Sequence, residues 1–208
     1  MAVPVRIFVW SDYVCPFCYL QEPILQRVVQ EYAGAIEVIW RAFELRPEPI
    51  PPLDPEGEYL HSIWDRVVYP MAQQRGMILR LPPVQPRSRM AFESAEFARD
   101  KNRFEEMHRA LFKTLFEKGQ DLGDTNVLLN VGASVGLERQ ELHAALQGGT
   151  YRNRVIEDEL QAAELGIPSV PTMVIDPGAK RSKVETISGA QPYERVKDAI
   201  ERAVSSLH

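Results

Sequence analysis

Ser11-Asp12-Tyr13-Val14-Cys15-Pro16-Phe17-Cys18-Tyr19 contains the only two cysteines of the 208-residue chain, three positions apart. An apolar, β-branched and aromatic run at residues 5–10 precedes it and predicts a buried strand. Apolar residues at helical spacing follow it, and Pro16 suits a first helical turn because that position needs no N–H donor. The cysteine pair is therefore expected where a strand passes into a helix, with Cys15 at the helix N-terminus.

The sequence changes from mixed to all-helical character near residue 50. A second strand is predicted at residues 36–40, which are β-branched and aromatic, and five prolines in residues 47–55 then predict an irregular connector. From there to about residue 150 the apolar residues follow helical spacing only, with Thr125 as an expected helix cap. The apolar stripe in residues 104–116 is expected to bury against the other helices.

Strand patterns return after residue 150. A helix capped by Thr150 is expected before a short apolar strand at residues 172–175. A turn and a partner strand at residues 184–187 follow, so the two strands predict a hairpin, and an amphipathic helix closes the chain. The solvated tip of the hairpin is expected to carry Lys180, Arg181 and Lys183.

This order of elements, β–α–β, helices, then α–β–β–α, predicts an α/β protein with a thioredoxin-like fold and a large all-helical insertion. Residues 1–52 and 151–208 are expected to form a discontinuous thioredoxin-like domain. Residues 53–150 are expected to form the helical insertion domain. The first β–α–β unit should have a right-handed crossover.

Composition and charge limit the function classes. The net charge of −5 argues against nucleic acid or an anionic membrane as the main partner. No apolar run approaches the roughly 18–20 residues that span a bilayer, and the run from Val5 is too short for a secretory signal. We therefore expect a cytoplasmic protein, and in that compartment a lone cysteine pair is more often catalytic, redox-sensing or metal-binding than structural.

The C-x-x-C spacing suits either a metal ion or a redox pair. A structural zinc site needs four ligands, and the chain has no second cysteine pair. The four histidines are scattered without ligand spacing: His61, His108, His143 and His208. We therefore expect no metal and predict dithiol redox chemistry, with two unreactive thiols as the alternative.

A position at the helix N-terminus predicts Cys15 as the attacking sulfur, because free N–H groups and the helix dipole favour its thiolate. Cys18 lies one turn inward and would resolve the mixed disulfide by thiol–disulfide exchange. Pro16 and Phe17, between the cysteines, are expected to contact the substrate. Asp12 is either a turn former or cap, or a carboxylate that relays a proton to the pair.

Three segments in this order resemble the DsbA-like thioredoxin family. They are SDYVCPFCYL at residues 11–20, SVPTMVI at residues 169–175 and ISGAQPYE at residues 187–194. The resemblance extends over the chain and is nearest to the cytoplasmic FrnE-like branch. It implies a protein disulfide oxidoreductase or isomerase that uses Cys15 and Cys18.

The same resemblance implies that Val170 and Pro171 form a cis-proline loop that lies against the cysteines and binds the substrate chain. Proline at the first position of a strand is compatible with that placement. The central Pro-Phe dipeptide differs from the Pro-His that is usual in periplasmic DsbA, which predicts weaker oxidising power. The expected partners are disulfides of proteins or small thiols, and family relatives with this insertion suggest a homodimer.

Two alternatives remain open. Kappa-class glutathione transferases and 2-hydroxychromene-2-carboxylate isomerases resemble this chain in their insertion but carry serine where it has Cys15. No tightly bound cofactor is expected, although glutathione is a candidate co-substrate, with Arg41, Arg87 and Arg89 able to hold a carboxylate. The third hypothesis is a redox-sensing or chaperone-like binding protein without turnover.

Overall fold

The computed structural model describes residues 5–178 and 184–205. Its four strands form one sheet in the order β2-β1-β3-β4. Strand β1 pairs in parallel with β2 and antiparallel with β3, which forms a hairpin with β4. This sheet confirms the predicted fold class and both predicted strand pairs. The strands are β1 (Val5–Ser11), β2 (Ile36–Ala42), β3 (Thr172–Asp176) and β4 (Glu185–Ser188).

The helices occur where the apolar stripes predict them, with a block of helices between β2 and β3. None of those in the described ranges is both long and apolar enough to cross a membrane. The basic hairpin tip predicted at residues 180–183 lies outside the described residues. The helices are α1 (Pro16–Glu31), α2 (Glu58–Ile63), α3 (Tyr69–Gln74), α4 (Arg89–Asp100), α5 (Phe104–Phe116), α6 (Thr125–Ser134), α7 (Arg139–Gly148), α8 (Arg152–Glu164) and α9 (Tyr193–Ser205).

The two faces of the sheet are covered by different elements. Side chains alternate along β1, so Val5, Ile7 and Val9 share one face. They pack in one core cluster with residues of α1 and α9. On the opposite face, Trp10 donates from Nε1 to the Asp158 carbonyl of α8 at 3.0 Å. Helices therefore enclose the sheet on both sides.

The helical block packs against the end of the sheet that is next to the cysteines. Its α5 stripe is buried, as predicted, with Leu111, Phe112, Leu115 and Phe116 at most 1% exposed. These side chains belong to a core cluster that also contains Trp10 and both cysteines. One apolar core therefore extends from the insertion to the cysteine pair.

The apolar stripe of residues 58–74 forms three pieces instead of one helix. A π-helical turn at Trp64–Val68 joins α2 to α3. Trp64 is 2% exposed, so this segment turns a large aromatic side chain into the core. A π-helical turn rotates the following residues relative to an α-helix, which uniform helical spacing does not reveal.

Two predicted helix caps are wrong. Asp124 rather than Thr125 caps α6, because its carboxylate accepts a hydrogen bond from the Asn126 N–H at 2.8 Å. Helix α8 starts at Arg152 after Tyr151, so Thr150 lies one residue too early to cap it. In both cases the helix starts one residue from the predicted position, so a neighbour of the predicted residue stands at the N-cap.

Candidate active site

Cys15 is the N-cap residue of α1, as the sequence predicts. Its backbone is extended, with φ −95° and ψ 112°, and Pro16 occupies the first turn. The Cys15 N–H donates to the Asp12 carbonyl at 3.1 Å, which closes the turn before the helix. No acidic residue lies in the first turn of α1. The helix dipole therefore favours negative charge on the Cys15 sulfur.

The two thiols share a buried environment but differ in their surroundings. Cys15 is 4% exposed and Cys18 is 1% exposed. Burial raises the pKa of the Cys18 thiol well above its ordinary value, and the hydrogen bond with Cys15 raises it further. The Asp12 N–H donates to the Cys18 sulfur at 3.4 Å and acts in the opposite direction. Cys18 therefore holds its proton at neutral pH.

The loop before β3 lies against Cys15. The Cys15 thiol donates to the Val170 carbonyl at 3.8 Å across 155 residues of sequence. The Val170–Pro171 peptide bond is cis, as expected from the resemblance. The Pro171 carbonyl accepts from the Gly189 N–H at 2.8 Å, so the end of β4 also fixes this loop. Both residues are buried.

Pro16 and Phe17 form the more accessible side of the motif. Both are half-buried, whereas Cys15 and Cys18 on either side are buried. Phe17 packs against the core cluster that contains the cysteines. The structure thus brings Cys15, Cys18 and Val170 together and leaves the central dipeptide partly open to the surface.

Asp12 is fully buried and its carboxylate is bound by main-chain groups. One oxygen accepts from the Val14 N–H at 3.2 Å and the other from the Leu45 N–H at 2.7 Å. Burial raises the pKa of Asp12 to about 6, and hydrogen bonds from Leu45, Ser88 and Val14 limit that rise. The carboxylate therefore ties the active-site turn to the chain after β2, and only the Asp12 main chain contacts Cys18.

A buried line of polar side chains next to the turn is not predicted by the sequence pattern. The Tyr13 hydroxyl and His108 Nδ1 lie 2.9 Å apart, and His108 Nε2 lies 2.9 Å from a Glu22 carboxylate oxygen. The one local signal was a histidine within the apolar stripe of α5. Its partners are 95 and 86 residues away, so no sequence spacing pairs them.

The three arginines considered for a glutathione carboxylate are engaged within the chain. Arg41 is 2.8 Å from Asp158, and Arg87 donates to the Arg46 carbonyl at 2.9 Å. Arg89 lies between the carboxylates of Glu44 and Glu159. Each of the three guanidinium groups therefore already has a partner within the chain. Within residues 5–178 and 184–205, no group of three or more His, Cys, Asp or Glu side chains is arranged to hold a metal ion.

Sequence comparison assigns the family. Residues 6–201 match the family described as the DSBA-like thioredoxin domain. The chain belongs to this family. It is also 34% identical over 206 residues to the uncharacterized protein YwbO of Bacillus subtilis, covering 97% of this chain and 96% of that protein.

Solved structures of other proteins share this fold. A probable DsbA oxidoreductase from Streptomyces coelicolor superposes with a TM-score of 0.79 at 24% identity, over 97% of this chain and 90% of the other. A 2-hydroxychromene-2-carboxylate isomerase gives 0.76 at 18% identity, over 97% of both chains. The cytosolic disulfide reductase DsbM from Pseudomonas aeruginosa, solved with GSH, gives 0.68 at 18% identity, over 97% and 96%. At these identities the similarity establishes the fold of the chain.

Proposed function

We propose that this protein is a cytoplasmic thiol–disulfide oxidoreductase of the FrnE-like branch, with Cys15 as nucleophile and Cys18 as resolving thiol. The observation that carries the proposal is the asymmetry of the pair. Cys15 caps a helix N-terminus and contacts the loop at Val170, whereas Cys18 is buried behind it with a raised pKa. Such an arrangement makes one sulfur the attacking nucleophile and keeps the other protonated until it resolves the mixed disulfide.

The reaction follows from this asymmetry. The Cys15 thiolate attacks one sulfur of a substrate disulfide, forms a mixed disulfide and releases the other substrate sulfur as a thiolate, which takes up a proton. Cys18 then loses its proton and attacks the Cys15 sulfur. The second substrate thiol leaves, and a Cys15–Cys18 disulfide remains. Two electrons have passed from the enzyme dithiol to the substrate.

The substrate chain is proposed to lie across Pro16 and Phe17 on one side and Val170 and Pro171 on the other. The Val170 carbonyl already accepts the Cys15 thiol proton, so it is placed to accept an N–H from a chain bound at that sulfur. Half-buried Phe17 offers an apolar contact beside the reacting atoms. Protein disulfides and small disulfides are both substrates of the required chemistry.

We further propose glutathione as the thiol that reduces the Cys15–Cys18 disulfide. Two molecules of glutathione supply the two electrons and form glutathione disulfide, which closes the cycle. The support is the similar fold of a cytosolic disulfide reductase that was solved with GSH. Because Arg41, Arg87 and Arg89 are engaged elsewhere, main-chain groups of the proline loop are the proposed contacts. A homodimer is the proposed oligomeric state.

A glutathione-dependent isomerase or transferase is the second candidate, since an isomerase superposes with a TM-score of 0.76. That chemistry needs only one active-site side chain at the position of Cys15. It does not need Cys18, which is retained here and hydrogen-bonded to Cys15. A third candidate, a binding protein that senses redox state, uses the pair without turnover.

Cys15→Ser and Cys18→Ser separate these functions. If the proposal is right, Cys15→Ser abolishes insulin reduction by glutathione, and Cys18→Ser accumulates a mixed disulfide on Cys15 that mass spectrometry identifies. A Cys18→Ser variant with full glutathione-dependent turnover would favour the isomerase or transferase. A wild-type protein with no thiol turnover, and with partner binding that depends on redox state, would favour the binding protein.

A further inference from the structure

A line of three buried polar side chains crosses the contact between the insertion and the cysteine-bearing helix. Tyr13 comes from the active-site turn, His108 from α5 and Glu22 from α1. They are 2%, 2% and 4% exposed. Both hydrogen bonds in the line are 2.9 Å long. The dithiol reaction proposed above uses none of the three.

The chemistry of the three groups decides which atom donates and which accepts in each hydrogen bond. An ionised carboxylate can only accept hydrogen bonds, so His108 Nε2 carries a hydrogen and donates it to Glu22. In a neutral ring Nδ1 then accepts, and the Tyr13 hydroxyl donates to it. Burial raises the pKa of Tyr13 well above its ordinary value, which keeps the phenol protonated. Gln26 Nε2 donates to the second Glu22 oxygen at 3.3 Å.

Aromatic packing fixes the imidazole ring in place. The ring centroid of His108 lies 4.2 Å from that of Trp40, 5.3 Å from Phe104 and 5.1 Å from Phe112. Tyr13 itself packs on Phe112 with a centroid separation of 5.0 Å. A buried polar network that is fully satisfied in such surroundings rigidifies the groups attached to it.

The groups attached to this line are the two flanks of the cysteine motif. Tyr13 adjoins Asp12, whose N–H donates to the Cys18 sulfur at 3.4 Å. The Asp12 carbonyl also accepts the Cys15 N–H at 3.1 Å. Glu22 lies one helical turn beyond Cys18 on the same face of α1. His108 in the insertion is therefore connected to both cysteines through Tyr13 with Asp12 on one side and Glu22 on the other.

We propose that Tyr13, His108 and Glu22 are positioning residues that set the redox equilibrium of the Cys15–Cys18 pair. They do so by holding the Asp12 N–H against the Cys18 sulfur. That hydrogen bond stabilises the dithiol form. Loosening the turn therefore makes the disulfide relatively more stable, and the protein becomes a stronger reductant. The inference rests on the dithiol function proposed above.

The test is the equilibrium between the reduced protein and glutathione disulfide, which yields the protein disulfide and two glutathione molecules. Tyr13→Phe removes one hydroxyl and keeps the ring. It is expected to shift this equilibrium toward the protein disulfide by roughly three- to tenfold, the effect of one weakened hydrogen bond. Glu22→Gln, read in the same assay, is a second variant in case Tyr13→Phe does not fold, and a shift of the same sign is expected.

Tyr151→Phe is the matched control. Its side chain is also largely buried, and its hydroxyl donates to the partly exposed Asp100 at 3.0 Å rather than to the cysteine segment. The control should lose thermal stability while its glutathione equilibrium stays within about twofold of wild type. Equal shifts in Tyr13→Phe and Tyr151→Phe, or none in the folded Tyr13→Phe and Glu22→Gln proteins, would overturn the inference. A wild-type protein that forms no Cys15–Cys18 disulfide would instead overturn the proposed function, and the inference with it.

Discussion

At the scale of single residues, the two cysteines differ because their sulfur atoms contact different neighbours. Both belong to the same four-residue motif and both are buried. The Cys15 sulfur meets the Val170 carbonyl, while the Cys18 sulfur meets the Asp12 N–H. The first neighbour is 155 residues away and the second is 6. Reactivity in this motif is therefore decided by the fold as much as by the motif.

The role of Asp12 can be tested by its titration. Its pKa of about 6 means that it accepts a proton only above that pH. If it takes the proton of Cys18, turnover should rise through pH 6 in the wild type. Asp12→Asn should lose this inflection and about a hundredfold in insulin reduction at pH 7, the lower end of what a positioned proton acceptor contributes.

Two measurements distinguish the loss of a proton acceptor from damage to the turn. Alkylation of Cys15 by iodoacetamide should continue in Asp12→Asn, since the thiolate position at the helix N-terminus is kept. If instead the pH profile of turnover is unchanged, Asp12 acts only through its bonds to Val14 and Leu45. The sequence allows both roles, turn residue and proton relay, and the observed bonds account for the first.

How well each part of the site could be predicted depends on how far apart its contacting residues lie in the sequence. Cys15 as a helix N-terminal residue follows from a strand pattern, two cysteines and Pro16 within a dozen positions. The proline loop at Val170 was placed by resemblance, because nothing local links it to Cys15. The His108 line was missed, since its two hydrogen bonds join three separate elements and a lone buried histidine gives no partner from spacing.

At the scale of elements, Arg75 joins the insertion to the helix that carries the cysteines. Arg75 follows α3 and donates to the carbonyls of Leu20 on α1 and Gln191 before α9, the latter at 3.0 Å. Gln191 in turn donates its N–H to the Gln21 side chain at 2.8 Å. One guanidinium group therefore joins the insertion, the cysteine helix and the segment that follows β4.

Arg75→Met should lower the free energy of unfolding by about 2 kcal/mol, because it removes two hydrogen bonds from a charged donor while keeping the apolar stem. Urea denaturation of the reduced protein measures this loss. Arg66→Met is the matched control, since Arg66 is exposed on the π-helical turn before α3. If the two variants lose the same stability, the link through Arg75 adds nothing beyond an exposed arginine.

Element order was predictable, whereas element boundaries were not. Strand and helix periods give different patterns, and they placed all four strands and the long helices such as α5 correctly. The ends depend on single hydrogen bonds, as with Asp124 in place of Thr125 at α6. The π-helical turn at Trp64–Val68 inserts Trp64 into the core, and this depends on tertiary packing that a single helical period does not encode.

At the scale of the whole molecule, one core cluster includes residues on both sides of the predicted domain boundaries near residues 52 and 150. The cluster that contains Trp10 and both cysteines continues into α4 and α5. The separate domain assignment remains a prediction about folding units. Because the insertion and the cysteines share one set of buried side chains, a movement of the insertion would also displace the side chains packed around the cysteines.

The same burial predicts how stability depends on pH. Burial raises the pKa of Asp12 from 3.8 to about 6, and it raises that of Glu159 from 4.5 to about 7. The folded state therefore binds more protons than the unfolded state between these values, so stability must fall as pH rises through the window. For Asp12 alone the shift corresponds to about 3 kcal/mol, with a smaller share from the partly exposed Glu159.

Urea denaturation of the reduced protein at pH 5 and pH 7.5 measures this dependence. The free energy of unfolding should be lower at pH 7.5 by about 2–3 kcal/mol. Glu159→Gln should flatten the part of the decline between pH 6 and 7.5, because it removes the group that titrates near pH 7 without touching the cysteine site. Asp12 would still produce the part below pH 6 in that variant. A wild-type stability that rises between pH 5 and 7.5 would mean that these carboxyl groups are paired or hydrated well enough in the folded protein to ionise at their ordinary pKa.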